Sequence, residues 1–454
     1  MLVLTRPSGG TVTGTQKILE LNAFDMKSGA DSLDPAAAAL VRRRRATFGP
    51  TSMLFYKRPL HVVRAEGVWL IEADGTRCLD AYNNVPSIGH CHPAVTEAVS
   101  RQIGILNVHT RYLHEGVYAY AERLLATMPE EISNIVFTCT GSESADLAIR
   151  IARSLTARTG LIATENAYHG NTLAVTQVSP SSATTEPLPP HVVLVPAPDT
   201  YRGGTEGLGA RFTADVRDAI ETLHGRGLAP AALIADTIFS SDGIFPGDPG
   251  FLTGAVAAIR DAGGLFIADE VQPGFARTGE ATWGFARHGI VPDMAIMGKP
   301  MGNGYPMGAV AIRPDLLASF GSRNGYFNTF GGNPVAAAAG LAVLETIANE
   351  DLQQNALETG TYLRDSLAAF TKTHPSIGDV RGSGLYIGVE IVSDPDSGAP
   401  DQAAAELLVN AMRERNVLIG TAGKFGNVLK IRPPLAFRRK HADIFLEAFA
   451  AALA

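Results

Sequence analysis

The chain has 454 residues, a formal net charge of -7, 46% hydrophobic residues and 18% charged ones. That mix describes a soluble globular protein with ample core, long enough for two to four domains or one large α/β domain with an appendage. The acidic balance argues against nucleic acid or an anionic membrane as a general partner. Three scattered cysteines, Cys78, Cys91 and Cys139, make no disulfide framework, so a reducing cytoplasm is the expected setting.

In chain order, residues 1–35 show little periodicity and read as a mobile or loosely docked arm. The opening "MLVLTRPSGG" has too short an apolar run for a secretory signal, and no span approaches transmembrane length. The basic run Arg42 to Arg45 reads as a solvated helix face. "GVWLIEADGTRCLDA" (67–81) looks like a hairpin. "GHCHP" (89–93) lacks a second ligand cluster at zinc spacing, which makes His90 and His92 structural and predicts no metal.

From Gly104 to about Ala311 short apolar runs alternate with helical patterns. Residues 134–138, 160–164, 191–195, 231–236, 264–269 and 308–312 are strand candidates. Their nearly continuous apolar character suits strands covered on both faces, hence a largely parallel sheet and an α/β fold. Helical periodicity runs over 212–224 and 253–262. After Phe330 the texture changes. A strong helix at 333–348 is followed by another, by short strands within 384–392, by a helix at 402–414, and by "NVLKI" (427–431) before a closing helix. The expected division is an arm (1–35), the start of a small α+β domain (36–84), a large domain (85–330) and the rest of the small one (331–454).

Within the large domain, Lys299 is the only lysine between Lys57 and Lys372, in a chain that otherwise writes arginine. An amine does what a guanidinium cannot: desolvated, it loses its proton and attacks a carbonyl. "FTCTGSESADLAIRIARSL" (137–155) reads as strand, small-residue turn and helix, with the helix starting near Gly141-Ser142. Such an N-terminus suits a phosphate, although an ordinary serine cap explains it as well. Asp269 follows an apolar strand, where ligands of open α/β sheets bind, and a carboxylate there would hold a heterocyclic nitrogen protonated. The alternative for Asp269 is a helix cap. "NAYHGNT" (166–172) supplies Tyr168, either a stacking face or a half-buried core tyrosine. A Schiff-base lysine, a phosphate cradle, a pyridinium carboxylate and a stacking ring are together what pyridoxal phosphate requires.

With these residues in place, the chain resembles the class III aminotransferases, fold-type I pyridoxal phosphate enzymes, over roughly residues 40 to 450. "GSES", "YHG", "ADEVQ" with its following "GF" and "RTG", and the lysine segment carry the likeness. The resemblance implies Lys299 as the lysine joined to the cofactor, Asp269 on the ring nitrogen and Gln272 near the ring hydroxyl. It also implies Tyr168 stacked on the ring and Gly141 and Ser142 on the phosphate. "YFNTFGGNP" (326–334) is similar to the segment whose threonine, here Thr329, reaches the phosphate of a neighbouring subunit, which implies a homodimer with shared active sites. "NNVPSIGHCHP", "LNVHTRYLHE", "PDTYRG", "GKPMGNGYP" and "LKIRPPL" resemble the ethanolamine-phosphate and phosphohydroxylysine phospho-lyase branch. Lys430 stands where ordinary members carry a carboxylate-binding arginine, with Arg432 shifted next to Pro433. Asp236 replaces a glutamate, and Ser144-Ala145 replaces Ala-Asn.

Two reactions fit, and in both Lys299 takes the proton from the carbon that bears the substrate nitrogen. With phosphate on the adjacent carbon, phosphate leaves, and hydrolysis gives aldehyde and ammonia. Without a leaving group, Lys299 delivers a proton to the cofactor and amino transfer follows. The expected activity is a phospho-lyase acting on ethanolamine phosphate or a close relative. The alternative is an aminotransferase taking an ω-amino acid or amine to pyruvate or glyoxylate. The substrate phosphate calls for a second cationic pocket. Arg111 is the first candidate for it, a surface or interface ion pair being its alternative, and Lys430 the second, with Asn84, from the Asn-Asn pair of that branch, a further substrate contact.

Overall fold

The stretch that reads as a hairpin forms one. In the computed structural model, which describes residues 21–25, 29, 33–182 and 186–454, β1 (Val62–Glu66), β2 (Trp69–Glu72) and β3 (Arg77–Asp80) run antiparallel in succession. Asp74 shapes the turn between the last two, its Oδ1 accepting from the Thr76 amide at 2.9 Å.

The central sheet contains β4 (Asn134–Thr138), β5 (Gly160–Thr164), β6 (Val192–Val195), β7 (Pro230–Asp236), β8 (Leu265–Asp269), β9 (Met294–Met297) and β10 (Gly308–Ile312). Their order is β4-β10-β9-β8-β7-β5-β6, and every pair is parallel except those of β10, which opposes both β4 and β9. Alternate side chains leave by opposite faces. Ile267, Met294, Ile296 and Val310 join a core with Leu147, Ala148 and Ile151 of the helix Gly141–Thr156. Phe266, Ala268, Ala295 and Ala309 face the other way, into a core that also holds the helices Leu208–Gly225 and Thr253–Asp261. Burial on both faces is why these strands read as unbroken apolar runs. Six of the seven lie where the sequence puts them. The seventh, β9, is absent from the expected strands because Met-Ala-Ile-Met is four residues long and holds one β-branched side chain.

Beyond it come the helices Pro334–Asn349 and Leu352–Ala368, then β11 (Ile377–Ser383), β12 (Tyr386–Asp394), β13 (Ala399–Pro400), the helix Gln402–Glu414, β14 (Val417–Leu418), β15 (Gly420–Ala422), β16 (Val428–Ile431) and the closing helix Arg439–Leu453. β11-β12-β16-β15 form an antiparallel sheet with β13 on β12. β14 instead pairs in parallel with β3, Val417 opposite Leu79, and so ties the hairpin to the C-terminal region. The segment 384–392, expected to hold short strands, lies mostly within one nine-residue strand.

Most of the expected arm lies outside the described residues. Its described part is docked: Leu21 and Phe24 are buried, and the Phe24 amide donates to the Leu54 carbonyl at 2.7 Å. Arg42, Arg43 and Arg45 are exposed on the helix Pro35–Phe48, while Arg44 donates to Ser52 Oγ at 2.6 Å. His90 is bonded to Asp80 at 2.6 Å and His92 to Glu350 at 3.0 Å. Among the described residues, no helix is long and apolar enough to cross a membrane.

Candidate active site

The ends of β4, β8 and β9 converge on a cavity of about 320 Å³, lined by Gly141, Ser142, Tyr168, Asp269, Gln272 and Lys299 among others. Six of the residues singled out from sequence are thereby brought together. Lys299 follows β9 after a single residue, Gly298. A Cβ on Gly298 would sit 2.9 Å from the Gly141 amide nitrogen, so only glycine lets the lysine turn and the helix N-terminus approach this closely. Thr140, not Ser142, caps that helix, its Oγ1 accepting from the Glu143 amide at 3.1 Å. By helix geometry the Gly141 and Ser142 amides have no intrahelical acceptor and are free for an anion. Gly170, at φ +143, packs on Ser142, where a Cβ would meet Oγ at 2.5 Å.

Asp269 ends β8 and is buried. Its Oδ1 accepts from the Val271 amide at 3.0 Å, and its Oδ2 lies 2.6 Å from His169 Nδ1. The residues after it form turns, so Asp269 is not a helix cap. His169, likewise buried, is a site residue the sequence reading passed over. Its signal was its place beside Tyr168 in a stretch already singled out. The Lys299 side chain is open to the cavity, yet the cavity lies deep in the protein. Loss of bulk hydration there lowers its ammonium to about 8; Arg432 adds to the shift, while Asp269 and Asp236 oppose it. Burial raises the neighbouring acids: Asp236 to about 6, Asp242 to about 7 and Glu270 to about 8.

Gln272, on the cavity lining, is the hub of a buried network behind it. Its Oε1 accepts from Arg432, from Tyr386 Oη at 2.9 Å and from Asn84 Nδ2 at 3.5 Å, while its Nε2 donates to Ser240 Oγ. Ser240 in turn donates to Asp236. Arg432 lies 4.7 Å over the Tyr82 ring and forms no ion pair among the described residues. Lys430, in the middle of β16, is buried within electrostatic reach of Arg432 and Lys299. The structure does not bring Arg111 or Thr329 to the cavity of their own chain. Arg111 is exposed, 3.9 Å over the Phe327 ring, and Thr329 is exposed on the same surface.

A reactive amine, a buried carboxylate and a helix N-terminus at the ends of mostly parallel strands define an α/β enzyme that binds a phosphorylated ligand at its strand ends. Residues 55–453 match the family Aminotransferase class-III, and the chain belongs to that family and has its fold-type I architecture. It is 40% identical to "Alanine--glyoxylate aminotransferase 2 homolog 2, mitochondrial" of Arabidopsis thaliana, over 91% of this chain and 87% of that one. A phospholyase from Arthrobacter, solved in complex with phosphoethanolamine, is 43% identical with a TM-score of 0.88, covering 91% of this chain and 99% of the other. An amine transaminase from an uncultivated Pseudomonas species, solved in its PLP-bound form, is 27% identical with a TM-score of 0.80, covering 87% of this chain and 95% of that one.

Proposed function

We propose that the chain is a pyridoxal phosphate-dependent lyase that eliminates phosphate from ethanolamine phosphate or a close phospho-amine. The observation that carries this reading is the basic pair Arg432 and Lys430 behind Gln272, buried and without a carboxylate partner. Burying basic groups without an acid is costly, and it suits a site completed by an anionic ligand. The likeness to the Arthrobacter phospholyase supports the same class of substrate.

The cofactor is pyridoxal 5'-phosphate, and the cavity's donor set fits it. The Gly141 and Ser142 amides would hold its phosphate, Tyr168 its ring face, Asp269 its ring nitrogen, Gln272 its ring hydroxyl and Lys299 its aldehyde carbon. When bound, the cofactor supplies an electron sink for the carbon that carries the substrate nitrogen. Lys299, released from the cofactor when the substrate amine takes its place, would then be a free amine able to remove the proton from that carbon. Asp269, oriented by His169, holds the ring proton. Arg432 and Lys430 grip the substrate phosphate, and Asn84 steadies Gln272. The C–O bond then breaks, phosphate leaves with its electron pair, and water converts the remaining fragment to acetaldehyde and ammonia. Arg111, stacked on Phe327, lines one groove with Phe327, Tyr118 and Tyr326, and all three rings are exposed. Such an apolar patch supports a homodimer in which Thr329 reaches the partner's cofactor phosphate.

The likeness to the Arabidopsis aminotransferase favours a second reading, transfer of an amino group from an amine or ω-amino acid to pyruvate or glyoxylate. Incubation with ethanolamine phosphate and no keto acid separates the two. Stoichiometric phosphate and acetaldehyde are the expected products. Absence of phosphate release, alongside fast alanine–glyoxylate turnover, would replace the lyase by the transferase.

A further inference from the structure

We infer that Lys430 is a proton-coupled anion receptor: it is an uncharged amine in the empty site and takes up one proton when the dianionic end of the substrate binds. This rests on the reading of Arg432 and Lys430 as the anion end of the site. It adds a chemical step which that reading does not contain.

The geometry comes first. Lys430 is only 3% exposed and makes no hydrogen bond or ion pair among the described residues. On β16 it is in register with Gly388 of β12 and Gly420 of β15, so no neighbouring side chain on either strand crowds it. A Cβ on Gly420 would meet Tyr82 at 2.3 Å, which places the Tyr82 ring, itself under Arg432, over this face of the sheet. The charged groups in reach are Arg432 two residues along, Lys299 after β9, Asp236 at the end of β7 and Asp242 in the loop that follows. Neither acid is bonded to Lys430. Asp236 is held by Ser240 and the Ile238 amide, and Asp242 by Thr164 Oγ1 at 2.9 Å and the Asn166 amide at 3.1 Å.

A buried ammonium with two other basic groups nearby and no bonded acid is unstable as a cation. Burial, reinforced by Arg432 and, while its amine is free, by Lys299, and opposed by Asp236 and Asp242, holds Lys430 well below the ordinary lysine range. A tetrahedral dianion beside it reverses that balance, since an opposite charge within about 4–6 Å favours the charged form. The amine then gains a proton from solvent and donates it toward the anion as a charge-assisted bond. An arginine in this place could not behave so, because it stays charged in the empty site. The amine removes one of the like charges from the resting pocket and restores it only when phosphate is there to neutralise it.

The test uses the cofactor-loaded enzyme with sulfate, a dianion that does not titrate near neutrality, as probe. Calorimetric titration at pH 8 in two buffers of different ionisation enthalpy reads the protons exchanged on binding. The wild type is expected to take up close to one proton per sulfate. Lys430→Arg is expected to bind sulfate with no uptake, and Lys430→Met to bind at least tenfold more weakly, also without uptake. Sulfate binding without proton uptake in the wild type, or equal uptake in Lys430→Arg, overturns the inference and leaves the anion subsite standing. No sulfate binding at all overturns both. Proton uptake at Lys430 in an enzyme that releases no phosphate from ethanolamine phosphate would sink the lyase reading alone.

Discussion

On the central-sheet side of the cavity every buried carboxyl is bonded. Asp269 has His169 and the Val271 amide, and Glu270 accepts from Gly284, Phe285 and Thr237 at 2.7, 2.9 and 3.1 Å. On the side formed by β16 and the residues after it, basic groups are left over: Lys430 has no partner, and the buried Arg432 Nε has none either. The bonded carboxyls are held in one geometry, although His169 Nε2 beside them has no partner, whereas buried basic groups without an acid are stabilised when an anion arrives. On the proposed reading, the first side holds a ligand that stays through every turnover and the second one that comes and goes.

Breaking the bonded carboxylate has the largest expected effect. Asp269→Ala removes the carboxylate at the end of β8 and, on the proposed reading, the proton from the cofactor ring. Several kcal/mol in the barrier, on the order of 10³-fold in kcat, should be lost while cofactor absorbance shows the site still loaded. Near wild-type turnover in the loaded variant would sink the role given to Asp269. His169→Phe is gentler, since it keeps the carboxylate and the bulk of the ring and removes the 2.6 Å bond that orients it. A hydrogen bond to a charged group contributes about 1.5–3 kcal/mol, so kcat should fall roughly tenfold to a hundredfold. KM for the substrate should barely move, because His169 faces the cofactor side alone. A change confined to KM would place His169 on the wrong side.

The two sides also differ in how legible they are from sequence. Lys299, Asp269 and the Gly141-Ser142 turn each sit at the end of an apolar run, and the rule that α/β ligands bind beyond strand ends is enough to group them. Their supporting partners come from afar. His169 is 100 residues from Asp269 and Arg432 is 160 residues from Gln272, so no local pattern marks either pair. Arg432 stood out only as an arginine displaced toward Pro433, with no role attached. Arg111 drew attention as a cation in a distinctive motif, but the fold sets it on Phe327, outside its own chain's cavity. Strand β9 escaped notice since four residues, two of them methionine, carry too little periodicity.

The smallest expected effect tests whether the cofactor side of the site is complete within one chain. Thr329 is exposed beside Phe330 (70%), two residues after the Phe327 ring that carries Arg111, and Leu113, two residues after Arg111, is 90% exposed. If a second copy covers that surface, the Thr329 hydroxyl adds one neutral hydrogen bond to the cofactor phosphate held by its partner. Such a bond is worth about 1 kcal/mol, so Thr329→Ala should raise the cofactor Kd roughly fivefold with little change in secondary structure. Leu113→Asp puts a charge in the same apolar surface and should shift the mass in solution from dimer toward monomer. Its cofactor Kd should rise at least as much as that of Thr329→Ala, because the monomer lacks the donated hydroxyl as well as the covering surface. Equilibrium dialysis and light scattering on the two variants read both quantities. A Thr329→Ala protein that binds cofactor as tightly as the wild type would confine the cofactor side to one chain and leave the dimer without a share in it.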